Sequence, residues 1–447
     1  MSRRRRRSAG ALGILAMVLA LMLPSAAAHA SPAALNTPAP TGLVTADGTS
    51  LMVNGRPWKF VGYNMPCAQP FLLNQQELQY EMADIANNSG ANAVRVWFFQ
   101  RNGGPGNWAP FDQVVAAAQA DGIRLIPTLV NEWATCEANP PVTIQKTLAW
   151  FQNGYKQTGD GYPVSFRNYA IAVAQHFANN PTIAFWQLVN EATAVTLLPN
   201  GQSTCDETAA AHALRSFGDD MTGAIHAVDP GHLVSLGTLG GDQCGITGSD
   251  YGYVHAGAIG ICEFHDYDYS YQPLADDHTV NGLADELHQC QALNKPFFIG
   301  EAGIVPNVQP PPGPEPLNCG PWPSCSPTPV TDASLNLRAA IFKEKITDDF
   351  GAGISGFLIW FKDPQYSAVN DSYAIGDGDP TEAMMAGLTL GPGAPATVPT
   401  PVAVVSSGHH RSWTDSPILL VVGGAILVAI WTAMWRSRRR SRAAHPQ

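Results

Sequence analysis

Two glutamates stand at the ends of two apolar, strand-like runs. The first closes FWQLVNE, residues 185–191, with Asn190-Glu191 at its tip; the second closes FFIGE, residues 297–301, with Glu301 at its tip. A carboxylate at the edge of an apolar core costs free energy unless it is paired or used. Two such ends, about 110 residues apart, point to paired carboxylates that the fold brings together. Two carboxyl groups about 5–5.5 Å apart can cleave a glycosidic bond with retention. One attacks the anomeric carbon; the other protonates the leaving oxygen and then activates water. Their environments are expected to push the two pKa values apart, the acid upward. The competing reading is a pair of structural carboxylates that cap helices or bind strand-end arginines.

Positioning the pair requires a scaffold that aims strand ends at one another. Near-continuously apolar runs of the kind buried parallel strands need occur at 58–63, 93–99, 123–130, 183–190, 233–239, 259–267, 296–300 and 354–360. Helical patterns fill the gaps at 75–88, 110–120, 165–178, 208–228, 281–293 and 332–350, with an extra helix expected at 142–155. Eight strands with intervening helices predict an α/β fold, a (β/α)8 TIM barrel over residues 43–390, with a hairpin at 43–57. An open doubly wound sheet would call for a Gly-rich phosphate turn after an early strand, and the chain lacks one. In a barrel the working residues sit at the C-terminal strand ends, where both glutamates fall. Residues 302–331, with ten prolines, interrupt the seventh unit as a long loop.

The flanks read differently. Residues 1–30 run from five arginines through an apolar stretch to SAAAHA, the order of a secretory signal. Residues 31–42 read as a flexible leader, and 391–416 as a Pro/Ala/Ser-rich stalk. Residues 417–435 are apolar and uncharged, about 28 Å as a helix, long enough to span a bilayer. Five arginines follow within 436–447 and mark a cytoplasmic tail. The expectation is a single-pass cell-membrane protein with its catalytic domain outside the cell. Ten of the 25 basic residues lie in the signal and tail, so the exported part has 15 against 36 acids. That balance argues against nucleic acid and anionic polymers and leaves neutral polysaccharides as partners. A monomer is expected, and the chemistry requires no cofactor and no metal. All eight cysteines lie in the exported segment, where disulfides are favoured over metal ligands. On the barrel arrangement the expected pairs are Cys67–Cys136, Cys205–Cys244, Cys262–Cys290 and Cys319–Cys325.

Several short motifs line up along these strands: Arg95 in VRVWFF, Asn190-Glu191, His265-Asp266-Tyr267, Glu301 and Trp360, after the opening DGTSLMVNGRPWKFVGYN. Each is weak alone; together, in order and spacing over residues 43–390, they resemble glycoside hydrolase family 5, a family of retaining barrel hydrolases. The resemblance implies that Glu191 is the acid/base and Glu301 the nucleophile. It also implies that Asn190 bonds the sugar 2-hydroxyl, Tyr267 donates to the nucleophile, Arg95 keeps that nucleophile ionised, and Trp360 is the floor on which a sugar stacks. His265 and Tyr267, two apart, should share a strand face. Plainer readings stand beside these: Arg95 in a structural ion pair, His265 and Trp360 as core, Asn190 as a turn residue.

Many family members carry a histidine near the end of strand three. Here that position reads LVNEW, with Asn131, Glu132 and Trp133, which is similar to the endo-β-mannanase branch. Glu132 is expected to be a solvated loop charge. Aromatic platforms for a polysaccharide are sought at Trp97, Phe99, Trp108, Trp133, Tyr269 and Trp322, although each taken alone reads first as ordinary packing. The substrate implied is a β-1,4-linked neutral glycan, mannan or glucomannan first and β-glucan or cellulose second. A transglycosylase acting on envelope glycans, or a surface carbohydrate-binding protein without turnover, are the alternatives.

Overall fold

All eight apolar runs become parallel strands: β1 (Phe60–Met65), β2 (Ala93–Trp97), β3 (Arg124–Thr128), β4 (Phe185–Gln187), β5 (Leu233–Ser235), β6 (Cys262–Asp266), β7 (Phe297–Ala302) and β8 (Gly356–Ile359). The structure is a computed structural model and describes residues 38–66, 74–133, 136–137, 146–159, 162–241, 243–267, 282–306, 331–363, 373–388 and 390. Each strand pairs in parallel with its neighbours in chain order, and β8 pairs with β1. A parallel bridge from Ser235 to Ile261 joins β5 to the start of β6 and closes the ring. The result is an eight-stranded parallel barrel with helices between strands.

The helices start where side chains satisfy their orphan backbone N–H groups. Asn74 caps Gln75–Asn88 by accepting from the Gln76 and Glu77 amides, while Glu77 accepts from the Asn74 amide at 2.8 Å. Thr331 with Ser334 does the same for Asp332–Gly351. Ala109–Ala120, Phe166–His176, Glu207–His226 and Leu283–Ala292 fall where the sequence patterns put them. Of the extra helix expected at 142–155, the described residues from 146 on show Leu148–Gln152 and a 3-10 turn at Gly154–Lys156, and 142–145 lie outside them. Two short helices, Asp250–His255 and Pro380–Ala386, were too brief to show a period.

The expected hairpin is a three-stranded antiparallel sheet, Val44–Asp47, Ser50–Val53 and Arg56–Pro57. Asn54-Gly55 makes its second turn, with both φ angles positive (52° and 72°), a conformation glycine and asparagine tolerate. Val44 and Leu51 from this sheet join Phe60, Ala93, Ile126, Phe185, Phe298 and Leu358 in one buried apolar cluster at the N-terminal end of the barrel. Phe60, Phe185 and Phe298 pack ring to ring there, with centroids 5.1–6.3 Å apart. This plug leaves polar chemistry to the opposite mouth.

Cys205–Cys244 and Cys262–Cys290 form as expected. Cys136 is disulfide-bonded, but Cys67, Cys319 and Cys325 lie outside the described residues. Among the described residues no helix is long and apolar enough to cross a membrane; segments 1–30 and 417–435 lie outside them.

Phe298→Ala should cost about 3–5 kcal/mol, because three rings meet at one point and the cavity cannot collapse. Denaturant unfolding checks this; a loss below about 1 kcal/mol would show that the plug is not part of the core.

Candidate active site

Arg95, at the middle of β2, points into the barrel and is wholly buried. Its Nε donates to Gln187 Oε1 (2.7 Å), its Nη1 to Asn64 Oδ1 (2.8 Å) and Glu301 Oε1 (2.7 Å), and its Nη2 to Asn190 Oδ1 (2.6 Å). Tyr267 OH donates to the other Glu301 oxygen at 2.6 Å. Glu301 is thus fixed at both oxygens, with its side chain 3% exposed.

Strict alternation along β7 would not put Glu301 there. Phe298 faces the barrel plug, so Glu301, three residues on, should face the helices. The register with β6 slips by one: Phe264 pairs Ile299, and His265 pairs Glu301. The bulged residue is Gly300, and the bulge turns Glu301 inward, level with His265. The Gly300 carbonyl accepts from Asn64 Nδ2 at 3.0 Å.

Glu191 follows β4 with φ +58°, a left-handed conformation uncommon for glutamate. Backbone bonds on both sides hold it: Asn190 N to Val130 O (2.7 Å) and Ala192 N to Gly237 O (2.9 Å). The Glu191 side chain, 14% exposed, is the more open of the two acids. It accepts from Trp133 Nε1 and from His265 Nδ1, the latter at 3.0 Å. Asn131 Oδ1 accepts from Asn190 Nδ2 (2.9 Å) and from the Trp133 amide (3.1 Å), which ties the β3 and β4 ends together. Glu191, His265 and Glu301 present atoms within 4.8 Å of one another. All nine site residues named from the sequence meet here, and the ninth, Trp360, belongs to a buried cluster against which Tyr267 packs. Trp360 is 6% exposed at the end of β8 and packs on Trp97 at 5.8 Å.

Two expectations fail. Glu132 is 1% exposed, not a solvated loop charge, because its backbone bonds into the β4 end at Asn190. Trp97 and Phe99 offer no open platform; they stack on each other at 5.0 Å and are buried. Trp108 stacks on His176, while Tyr269 and Trp322 lie outside the described residues.

The second failure is electrostatic. Burial pushes the Glu191 carboxyl up, but the hydrogen bond and charge of His265, with Trp133 and Arg95, outweigh it and hold Glu191 below its ordinary value. Burial raises Glu301, with Glu191 adding to the rise and the His265 and Arg95 charges opposing it. Burial alone would neutralise His265; Glu301, Glu191 and Glu263 instead raise it to about 9. The acid-up order expected from the sequence is therefore reversed, because the hydrogen bond and charge of His265 outweigh burial at Glu191, whereas burial prevails at Glu301.

Sequence reasoning passed over Asn64, Gln187 and Glu263. Glu263 had a signal: in CEFHDY it shares the strand face of His265 and Tyr267, while Asp266 faces the helices and pairs with Lys345 at 2.6 Å.

The Glu191, His265 and Glu301 trio could hold a cation by spacing alone, but the His265 and Arg95 charges already fill that role. Glu81, Asp84 and Asp377 form a second acidic group, and the Lys362 ammonium lies 2.7 Å from Asp84 and 2.8 Å from Asp377.

The model of the family described as Cellulase (glycosyl hydrolase family 5) matches residues 51–313, more than half of the chain. The chain belongs to glycosyl hydrolase family 5. Among curated relatives, a probable mannan endo-1,4-beta-mannosidase C of Aspergillus terreus is 27% identical over 48% of this chain and 59% of its own length. A mannan endo-1,4-beta-mannosidase A of Podospora anserina is 24% identical over 57% of this chain and 72% of its own. The chain thus spans little more than half the length of the first of these. An endo-1,4-beta-mannanase structure from Rhizomucor miehei matches with TM-score 0.54 and 17% identity, over 77% of this chain and 97% of that one, and supports the barrel fold.

A folded-state pKa raised to about 9 from 6.5 makes His265 a stabilising group below about pH 6.5, and that contribution is lost as pH rises through about 9. The stability difference between wild type and His265→Gln should therefore shrink, by up to about 3 kcal/mol, from pH 6.5 to 9. Urea unfolding at stepped pH measures it; a constant difference contradicts a protonated His265.

Proposed function

We propose that this family 5 protein is a retaining β-glycoside hydrolase that cleaves β-1,4-linked mannan or glucomannan by double displacement. The observation that carries the reading is the spacing of the two carboxylates. Glu191 Oε1 and Glu301 Oε2 lie 3.0 and 3.5 Å from the same His265 Nδ1, so the two carboxyl groups face each other across one ring nitrogen, an approach that suits the retaining geometry of about 5–5.5 Å better than the about 6.5–9.5 Å of an inverting enzyme.

Glu301 is the nucleophile. Arg95 and Tyr267 hold both of its oxygens, so its attack direction is set and its charge is compensated. Glu191 is the acid/base. It is the more exposed carboxylate, where a leaving sugar and then a water can reach it, and it shares a proton with His265. Asn190 uses one amide hydrogen on Asn131, and its second is available to the sugar 2-hydroxyl. Trp360, supported from behind by Trp97, is the stacking floor beside the nucleophile. The names of the curated relatives favour mannan over β-glucan.

The placement follows from the flanks. Residues 1–30 act as an export signal, 31–42 as a leader, 391–416 as a stalk, 417–435 as a membrane span and 436–447 as a cytoplasmic tail. This sets the barrel, residues 43–390, on the outer face of the cell membrane. The apolar span followed by five arginines supports this.

Assayed against mannan, glucomannan, cellulose, mixed-linkage glucan and xylan, the protein should be most active on the first two, with retained anomeric configuration in the first product. Glu301→Gln should lose at least about 1000-fold in kcat. Inverted product, or a Glu301→Gln variant near wild-type rate, sinks the mechanism; preference for cellulose redirects the substrate. For the location, cell fractionation should recover the full chain with membranes until detergent is added, and release on washing with salt alone contradicts the anchor.

A further inference from the structure

Strand β6 turns three residues toward the site, and the reaction described above uses only His265 and Tyr267. The third, Glu263, is fully buried. Its Oε1 accepts from Gln187 Nε2 (2.5 Å) and His265 Nε2 (3.1 Å), and its Oε2 accepts from Ser235 Oγ (2.8 Å). A carboxylate so far from water is costly unless a positive partner compensates it, and the partner in contact with it is the His265 ring. The chain keeps the pair together by leaving out a side chain. A Cβ built at Gly300, the bulged residue, would lie 2.3 Å from Glu263 Oε1 and 3.0 Å from His265 Nε2.

We propose that Glu263 is a positioning residue for proton donation: it fixes the proton on His265 Nε2, so the second ring proton, on Nδ1, lies in the 3.0 Å bond to Glu191. This rests on Glu191 being the acid. As substrate displaces water, the Nδ1–H bond breaks and a Glu191 Oε1–H bond forms. His265 becomes neutral and keeps its Nε2 proton on Glu263. Glu191 then passes its proton to the leaving glycosidic oxygen, and the water that resolves the glycosyl-enzyme returns a proton to the Glu191–His265 pair. The charged and titratable groups facing His265 are Glu191 after β4, Glu301 on β7 at 3.5 Å, and Glu263 on its own strand. Arg95 from β2 and the Tyr267 hydroxyl both bond Glu301, which faces the ring. The raised titration of His265 agrees with this arrangement.

Glu263→Gln keeps an oxygen to accept the Nε2–H and removes only the charge. In the full-length protein, mannan hydrolysis by this variant should fall about 10- to 100-fold in kcat with KM within about twofold. The alkaline limb of its pH profile should move at least about one unit lower, and Glu263→Asp should bring it partly back. On 2,4-dinitrophenyl β-mannobioside, whose leaving group needs no proton, the pre-steady-state burst should stay within about threefold of wild type. An unmoved pH profile, or equal losses on both substrates, overturns the inference while leaving the hydrolase reading intact. Nitrogen-15 NMR of the His265 ring, assigned by its loss in His265→Gln, needs no turnover and no stable Glu263 variant. Both ring nitrogens should be protonated at pH 7; a neutral ring there overturns the inference even in an active enzyme, whereas a charged ring in a protein inactive on mannan faults the functional reading instead.

Discussion

The site depends on the burial of one guanidinium. Arg95 has no contact with water, yet each of its nitrogens donates to an acceptor: Gln187 from β4, Asn64 from β1, Glu301 from β7 and Asn190 beyond β4. A planar, permanently charged fork can hold four groups from three other strands in one plane-like arrangement; an ammonium on a flexible stem cannot. The cost of taking that charge out of water is offset only when Glu301 is present and ionised. The same interaction therefore orders the barrel mouth and favours the charged form of Glu301 against the burial that raises its carboxyl. Removing either partner would strand the other in a medium that solvates it poorly.

From that constraint the proton distribution follows. Arg95 compensates Glu301, but Glu191 and Glu263 bring two more carboxylates to within hydrogen-bonding reach of a single imidazole. The least costly arrangement puts a second proton on His265, and that depresses Glu191. A general acid with a lowered pKa is a poor acid in isolation, yet Glu191 and His265 together still hold the proton to be delivered. The left-handed backbone at Glu191 belongs to the same economy of placement. It aims the side chain across the mouth toward His265 rather than along β4, and the neighbouring backbone bonds hold it there.

Much of this was legible in the sequence. Buried parallel strands read as continuous apolar runs, so all eight could be found and their C-terminal ends located. Residues with an unusual type at a strand end, such as Glu191, Glu301 and Trp133, stood out against that background. What stayed hidden depends on tertiary register. The bulge at Gly300 that turns Glu301 inward leaves no signature in FFIGE, where alternation alone would face it outward. Asn64 and Gln187 look like ordinary polar residues until Arg95 is placed between them. Glu263 was visible by its period-two spacing from His265, but its meaning lies in the buried ring contact. The helix expected at 142–155 stops at Gln152, where Asn153-Gly154 break its pattern.

The central claim is that Glu301, fixed by Arg95 and Tyr267, forms the covalent bond to sugar. The most direct measurement is to inactivate the protein with 2-deoxy-2-fluoro-β-mannosyl fluoride, which slows the second step more than the first, and to map the labelled peptide by mass spectrometry. The account predicts one added fluoromannosyl group per chain, carried by Glu301, with labelling lost in Glu301→Gln. A label on Glu191 or Glu263, or time-dependent inactivation with no covalent adduct, would contradict it.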